Sequence, residues 1–232
     1  MNFDNFKNKK ILIFVAHQDD ESISMGGTIK LLQKNNKVFV VSFTDGILSR
    51  NDSKKFNYKK NYEIRKKEAK IASKILNFKW HKEFIFPDNS LDSIPRLELI
   101  KEIEKIILEI KPNFIFTHSF SDLNIDHRII NQSVSTACRP GIFNYIKGLF
   151  FFEIITSTHF RFDKSSEYFS PSIYVNIEKQ LNYKIKACNA YKSETSKDRI
   201  LHIDKIVSLN SFRGSQINCK YAESFDLGYL IS

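Results

Sequence analysis

The chain has 232 residues, of which 42% are hydrophobic and 27% charged, and its formal net charge is +10 at pH 7. This composition is typical of a soluble globular protein and excludes a disordered or fibrous chain. The most apolar segment, residues 148–155, contains Glu153 and is far shorter than the roughly 20 residues of a membrane-spanning helix. We therefore expect no membrane span.

The three cysteines, Cys138, Cys188 and Cys219, are widely spaced and form no Cys-x-x-Cys pair. Together with an N-terminal apolar run too short for a signal sequence, they predict a protein of the reducing cytoplasm. The length is most simply that of one domain, residues 1–232. The excess of basic residues would favour an anionic partner, but the lysines are scattered along amphipathic segments, which is typical of a solvated surface.

The spacing of apolar residues divides the chain into alternating strands and helices, beginning with an uncharged run that predicts a buried strand. The predicted strands are residues 11–16, 38–43, 83–87, 114–118, 149–155 and 172–177. The predicted helices are residues 22–36, 62–78, 95–110, 126–137, 178–191 and 198–211. Between the second strand and second helix, the polar residues 47–60 predict a surface loop.

The repeated order of strand, polar turn and helix predicts an α/β fold, a Rossmann-like three-layer sandwich with a mainly parallel sheet. In such a sheet the first and fourth strands become neighbours where the strand order reverses, and ligands bind in the crevice at this point. Gly26 and Gly27, early in the first helix, predict a close backbone approach to the sheet or to a ligand.

Polar side chains follow both of these strands. His17, Asp19 and Asp20 follow the first strand. The fourth strand ends in His118 and is followed by Asp122, Asn124, Asp126 and His127. Two histidines and a carboxylate around an open position are the usual ligands of a catalytic zinc. The acidic cluster could instead cap the following helix, and Asp126 could either cap its own helix or orient an imidazole.

Two motifs carry a resemblance to a known family. Ala16-His-Gln-Asp-Asp-Glu21 is similar to the Ala-His-Pro-Asp-Asp-Glu signature of the PIG-L (LmbE-like) deacetylases, and Asn124-Ile-Asp-His127 resembles their second motif. Further resemblances are found at Thr44-Asp-Gly46, Arg65-Lys-Lys-Glu68, Phe86-Pro-Asp-Asn89, Thr136-Ala-Cys-Arg-Pro140 and Arg213-Gly-Ser-Gln216. Because they extend along nearly the whole chain, the match is specific.

The resemblance implies a zinc-dependent deacetylase of N-acetylglucosamine conjugates, with iron as an alternative metal. By position, His17, Asp20 and His127 correspond to the metal ligands. Asp19 corresponds to the general base that activates a metal-bound water, since zinc lowers the pKa of such a water to roughly 7. Glu21 is expected to be structural.

The chain departs from the family pattern in two places. Gln18 replaces a proline, which affects turn stiffness more than chemistry. Asn124 stands where some members carry a histidine that acts as an acid or oxyanion partner, with help from the aspartate at the position of Asp126. Asparagine cannot transfer a proton. His118 is the predicted substitute, and otherwise Asp19 must return the proton itself.

Three residues are predicted to bind substrate: Arg65, Asp45 and Asp88. For each, a simpler interpretation stays open, since Arg65 could be a surface charge and the two aspartates could build turns. The expected substrate is a small N-acetylated sugar, and the net basic charge favours one that carries phosphate, while the oligomeric state is left open. The alternatives are another N-acyl amine or a non-enzymatic nucleic-acid module built on residues 54–67, but no nucleic-acid motif supports the latter.

Overall fold

The first strand, β1 (Lys10–Val15), is buried from its second residue onward, as its uncharged sequence predicts. The structure, a computed structural model, describes residues 6–48, 57–160, 168–195 and 202–231. The remaining strands are β2 (Lys37–Thr44), β3 (Lys79–Phe86), β4 (Phe114–His118), β5 (Gly148–Phe152), β6 (Ile173–Asn176) and β7 (Ala222–Leu230). The helices are α1 (Asp20–Leu32), α2 (Tyr58–Leu76), α3 (Arg96–Ile110), α4 (Ile125–Ala137), α5 (Leu181–Ala190), α6 (Lys192–Thr195) and α7 (Ile203–Ser215), with a 3₁₀ turn at Leu91–Ser93.

Within the described residues, the strands form one sheet in the order β3-β2-β1-β4-β5-β7-β6. β1 pairs in parallel with both β2 and β4, and β3 and β5 extend the parallel arrangement outward. β7 runs antiparallel to both β5 and β6. The predicted α/β fold with a mainly parallel sheet is therefore confirmed, and β1 and β4 are neighbours.

Apolar side chains of β1 alternate between the two faces of the sheet. Ile11 and Val15 belong to a buried cluster that includes residues of α1, α2 and α5. Leu12 and Phe14 belong to a second cluster, with residues of α3 and α4. Helices thus cover both faces, which is why β1 carries an unbroken apolar sequence and why its polar continuation emerges only at the sheet edge.

β7 was not predicted, because its sequence is rich in polar residues. One of them, Glu223, is buried and accepts hydrogen bonds from the amides of Gly27 and Thr28 at 2.9 and 2.7 Å and from Lys184 Nζ at 2.6 Å. The strand is therefore stabilised by distant partners that no local pattern reveals. β3 also begins earlier than predicted, at Lys79, because its alternating polar residues face solvent at the edge of the sheet.

Several helices differ from their predicted bounds. α2 begins at Tyr58 because the side chain of Asn57 caps it, although its first turn has no apolar period. α7 spans Ile203–Ser215, whereas its prediction began at residue 198. Residues 49–56 of the predicted loop and residues 198–201 of that helix lie outside the described residues. No helix in the described part of the chain is long and apolar enough to cross a membrane.

The close approach predicted at the two glycines of α1 is made to the C-terminal half of the chain. A Cβ atom on Gly27 would lie 2.8 Å from the side chain of Ile177, and one on Gly26 would lie 3.2 Å from Lys184. A kink at Met25 separates the first turn of α1 from the rest of the helix. This contact joins the two halves of the chain just behind the polar turn that follows β1.

Candidate metal centre

Three nitrogen and oxygen donors face one another at the junction of β1 and β4. His17 Nδ1 lies 3.1 Å from His127 Nε2 and 3.3 Å from Asp20 Oδ2, and His127 Nε2 lies 3.5 Å from Asp20 Oδ1. Ligand atoms about 2.0 to 2.2 Å from a tetrahedral zinc ion lie roughly 3.3 to 3.6 Å apart. The three side chains therefore fit one divalent cation with little movement.

Carboxylates lie within ion-pair distance of the other nitrogen of each imidazole. His17 Nε2 lies 3.1 Å from Asp88 Oδ1 and 3.3 Å from Asp126 Oδ2, and His127 Nδ1 lies 3.1 Å from Asp122 Oδ1. Carboxylates placed in this way fix the tautomer and the orientation of metal-binding histidines. They leave His17 Nδ1 and His127 Nε2 available to a cation.

His17, Asp88 and Asp126 form a second group that could hold a metal ion. In this group, however, both oxygens of Asp126 accept backbone hydrogen bonds, from Asn89 at 2.7 Å and Leu91 at 3.0 Å. Asp126 is also fully buried. The group formed with Asp20 and His127 is therefore the better candidate, and Asp126 binds the loop after β3 through these amides.

A tight turn places Asp19 and Asp20 after β1. The amide of His17 donates to Asp20 Oδ2 at 2.8 Å, and Asp19 adopts a φ of 143°, a conformation that is costly for a residue with a side chain. Asp19 makes no side-chain hydrogen bond that caps α1. The alternative in which the acidic cluster merely caps this helix is therefore not supported.

The charges around Asp20 and His127 reinforce one another. Burial raises the pKa of Asp20, but the imidazoles of His127 and His118 outweigh burial and hold this pKa well below its ordinary value. Burial lowers the pKa of His127, but the carboxylates of Asp122 and Asp20 outweigh this effect and raise that pKa to about 9. Asp20 and Asp122 thus place two carboxylates beside His127, which favours a positive charge at this position.

Asp19 lies beside this group and is only 7% exposed. Burial raises the pKa of its carboxyl group to about 8, against the opposing effect of the Arg65 guanidinium, whose NH1 atom lies 3.4 Å from Asp19 Oδ2. A cation at the three ligands would favour the charged carboxylate further. The role of Asp19 as the proton acceptor stays a prediction.

His118, the predicted substitute acid, is fully buried and stacks on His127, with ring centroids 3.9 Å apart. Its Nε2 atom accepts a hydrogen bond from the Ala16 amide at 2.9 Å. Asp20 Oδ2 lies 3.3 Å from the same nitrogen. Because this nitrogen already accepts the hydrogen bond from the Ala16 amide, it carries no proton to donate to Asp20. Burial and the neighbouring His127 lower the pKa of His118 to about 4. These contacts favour a neutral packing partner of His127 and do not support an acid role.

Asn124 caps α4. Its Oδ1 atom accepts hydrogen bonds from the amides of Asp126 and His127 at 2.8 and 3.4 Å, and its Nδ2 atom donates to Asn89 Oδ1 at 3.0 Å. The predicted cap role of Asp126 is thus taken by Asn124. Since α4 begins here, Asn124 also fixes the direction from which His127 enters the site.

The three predicted substrate-binding residues all have partners within the protein. Arg65 is 2% exposed, which contradicts its alternative as a surface charge, and it donates to the Gln18 carbonyl at 2.6 Å. Asp45 Oδ1 accepts from the amides of Ile47 and Leu48, so Asp45 does build a turn. Asp88 lies against His17, as described above. A direct role of these residues in binding substrate stays a prediction.

Sequence reasoning assigned no role to Asp122, Tyr191 or Glu194. Asp122 lies in the polar loop after β4, and only its closeness to His127 in the sequence could have indicated a role. Its Oδ2 atom also accepts hydrogen bonds from Ser157 and Thr158. Glu194 pairs with Arg65, and the Tyr191 hydroxyl donates to Glu21 Oε1 at 2.8 Å. Nothing in the local sequence of residues 191–194 indicates these contacts.

Comparison with known proteins finds a matching family and related sequences. Residues 12–138, more than half of the chain, match the PIG-L family, described as GlcNAc-PI de-N-acetylase. A protein of Bacillus cereus, named a probable N-acetyl-alpha-D-glucosaminyl L-malate deacetylase 2, is 26% identical over 198 residues, which cover 81% of this chain and 84% of that protein.

Solved structures share the fold. N,N′-diacetylchitobiose deacetylase from Pyrococcus horikoshii, complexed with an inhibitor, aligns with a TM-score of 0.77 and 23% identity over 94% of this chain and 83% of its own. GalB, the 4-carboxy-2-hydroxymuconate hydratase of Pseudomonas putida KT2440, aligns with a TM-score of 0.76 and 18% identity over 97% of this chain and 98% of its own. Because a deacetylase and a hydratase share this architecture, the fold alone does not define the reaction.

Proposed function

The chain belongs to the PIG-L family, described as GlcNAc-PI de-N-acetylase, and from this we propose that it is a metal-dependent hydrolase that removes the N-acetyl group of an amino sugar. The resemblance carried by the two sequence motifs is thereby confirmed. The observation that carries the proposal is the set of facing donor atoms on His17, Asp20 and His127 with the Asp19 carboxylate beside them.

Relatives support the substrate class. The Bacillus cereus protein is named for deacetylation of an N-acetylglucosaminyl malate, and the Pyrococcus horikoshii protein for deacetylation of diacetylchitobiose. Both names describe N-acetylglucosamine units attached to different groups. We propose the same unit for this chain, and the net charge of +10 favours a conjugate that carries phosphate or carboxylate.

Zinc is the proposed metal, because two imidazoles and one carboxylate that leave an open position are a common catalytic zinc site. Iron(II) suits the same ligands, since a two-histidine, one-carboxylate set also binds this ion. When bound, the cation would lower the pKa of a water molecule and polarise the acyl carbonyl. His17, Asp20 and His127 would hold it, and Asp122 and Asp126 would keep the two imidazoles in place.

Asp19 carries the proton transfers in this proposal. It accepts a proton from water as the water oxygen bonds to the acyl carbon, and it returns this proton to the nitrogen as the C–N bond breaks. The products are acetate and a free amine. Asn124 serves as a helix cap and has no proton to exchange, while His118 is buried and neutral, so both transfers fall to Asp19.

The proposal is tested with purified protein, whose metal content is measured by mass spectrometry. N-acetylglucosamine, diacetylchitobiose and N-acetylglucosaminyl malate are each incubated with the protein, and release of acetate is followed before and after chelation and after zinc or iron is restored. We expect acetate release that chelation abolishes and one metal restores. Release that survives complete removal of metal would refute the mechanism.

The same assay distinguishes the closest alternative, hydrolysis of another N-acyl amine. Formyl and longer acyl derivatives of glucosamine, and acetylated amines that lack a sugar, are compared at equal concentration. A formyl derivative or an acetylated amine without a sugar could give a higher kcat/KM than the N-acetylated sugars. In that case the proposed metal chemistry would stand, and the proposed substrate class would be replaced. No measurable reaction with any of these compounds, at any metal loading, would refute the hydrolase itself.

A further inference from the structure

A second group of buried charges lies beside Asp19 and does not include the candidate metal ligands. It consists of Arg65 and Glu68 on α2 and Glu194 on α6, which are 2%, 7% and 5% exposed. The proposed mechanism does not use any of these residues. Glu194 also lies outside residues 12–138, the span that matches the family.

Arg65 lies at the centre of this group, and its guanidinium bridges separate turns of the chain. NH1 donates to the Gln18 carbonyl at 2.6 Å and lies 3.4 Å from Asp19 Oδ2. NH2 donates to the Gly46 carbonyl at 3.3 Å and to Glu194 Oε1. The turn after β1, the turn after β2 and α6 therefore meet at one planar side chain.

The short helix α6 is itself attached at two points. The amide and hydroxyl of Ser193 donate to the two carboxylate oxygens of Glu68, at 3.0 and 2.7 Å. Just before α6, the Tyr191 hydroxyl donates to Glu21 Oε1 at 2.8 Å. Because α1 and α2 hold Tyr191 and Ser193, which directly precede Glu194, the glutamate side chain is presented to Arg65 in a defined position.

Asp19 needs such support, because its φ of 143° is a strained conformation that persists only where surrounding contacts enforce it. A buried guanidinium, for its part, needs partners for its N–H groups, and its planar geometry couples their positions. If Glu194 lost its charge, NH2 would keep only neutral acceptors among the described residues, among them the Gly46 carbonyl at 3.3 Å. The guanidinium could then rotate and release NH1 from the Gln18–Asp19 turn.

We infer that Glu194 is a positioning residue, which holds Arg65 so that Arg65 keeps the Asp19 turn in the geometry required for proton transfer. This inference rests on the proposed function for its catalytic consequence. It assigns to the C-terminal half of the chain a part of the active site that the two family motifs do not contain.

The kinetic test uses Glu194→Gln, which keeps the shape of the side chain but removes its charge. Lys192→Gln is the matched control, since it removes one charge from an exposed position of the same helix. We expect Glu194→Gln to lower kcat at least tenfold, with KM within twofold of wild type and with unchanged metal content. A purely structural role would lower the amount of folded protein rather than kcat per folded, metal-loaded molecule.

Two further variants distinguish positioning from substrate binding. Glu194→Asp keeps the charge and is expected to recover part of the lost kcat. In an Arg65→Lys background, Glu194→Gln is expected to lower kcat by a much smaller factor than in the wild type. The reason is that the planar guanidinium through which Glu194 acts is already absent. Fully additive losses, or a rise in KM with kcat intact, would overturn the inference.

Hydrogen–deuterium exchange tests the positioning role of Glu194 independently of any enzymatic activity. We expect the peptide that contains Gln18 and Asp19 to exchange faster in Glu194→Gln than in wild type or Lys192→Gln. Equal exchange in the three proteins would overturn the inference even if the deacetylase activity is found. Faster exchange in a protein that deacetylates none of the sugars would leave the positioning in place and refute the proposed function alone.

Discussion

His17 Nδ1 and His127 Nε2 face each other at 3.1 Å, although 110 positions separate the two residues in the sequence. The contact exists because β1 and β4 pair in parallel, so that the residues following both strands emerge at the same edge of the sheet. Asp20 faces both nitrogens and supplies the negative charge that two imidazoles with a shared cation require.

Asp122 gives the first prediction. Its carboxylate lies 3.1 Å from His127 Nδ1 and holds the ring with Nε2 turned toward His17. We expect Asp122→Asn to weaken metal binding by about 10- to 100-fold, since partners of this kind orient metal-binding histidines. Competition with a chromophoric chelator measures the affinity, with Asp92→Asn, an exposed aspartate, as the control. Equal affinities in the three proteins would show that Asp122 does not orient the ligand.

Asp19 gives the second prediction. Asparagine at this position keeps the shape of the side chain but cannot accept a proton. We therefore expect Asp19→Asn to lower kcat by about 10²- to 10⁴-fold, the usual contribution of a general base. Metal content should stay at the wild-type level, because Asp19 is not among the three facing donors. Acetate release and metal content are measured on the same preparation, and a variant that keeps wild-type kcat would remove Asp19 from the mechanism.

The proximity of His17, Asp20 and His127 could be predicted from the sequence, because it depends on local features. An unbroken apolar run marks β1, the order of strands and helices predicts a parallel sheet, and the reversal of strand order makes β1 and β4 neighbours. The strands and helices follow from the spacing of residues within each element, whereas the reversal of strand order follows from the fold class. The motifs then identify which polar residues at the sheet edge belong together.

The roles of Glu194 and β7 could not be predicted, because they depend on distant partners. Glu194 lies 129 positions from Arg65, and a four-residue polar helix carries no periodicity that would indicate burial. Glu223 in β7 is buried only because Gly27, Thr28 and Lys184 satisfy its carboxylate. The hydrogen bond from the Ala16 amide to His118 Nε2 is likewise visible only in three dimensions, and the predicted role of His118 stays a prediction.

Asn124 gives the third prediction, which concerns stability. Its side chain accepts hydrogen bonds from the first amides of α4. Replacement of such a cap by alanine costs about 0.5 to 2 kcal/mol in the free energy of unfolding, whereas serine retains an acceptor. We expect Asn124→Ala, but not Asn124→Ser, to unfold at lower urea concentration. Equal midpoints for the two variants would contradict the cap role and reopen the question of why this chain lacks the family histidine.

Glu153 gives the fourth prediction, which concerns pH. It follows β5, is buried, and accepts hydrogen bonds from Arg213 Nε and NH2 at 2.8 and 2.7 Å, from Ser224 at 2.6 Å and from His159 at 2.6 Å. Burial raises the pKa of Glu153, but these donors outweigh burial and place it below its ordinary value in the folded protein. The pairing with Glu153 gives Arg213 a structural role.

A carboxyl group whose pKa is lower in the folded than in the unfolded protein stabilises the fold above its unfolded pKa, about 4.3 for glutamate. This stabilisation is lost as the pH falls through the folded-state pKa. Glu153→Gln should therefore lose up to about 3 to 5 kcal/mol near pH 7, because Arg213 is left buried without its charged partner. The difference from wild type should shrink as the pH falls from about 4.3, the unfolded pKa, through the lower folded-state pKa of Glu153. Urea unfolding between pH 3 and 7 measures this difference in the free energy of unfolding, with the exposed Glu98→Gln as control. A difference that does not depend on pH would show that the charge of Glu153 does not stabilise the fold.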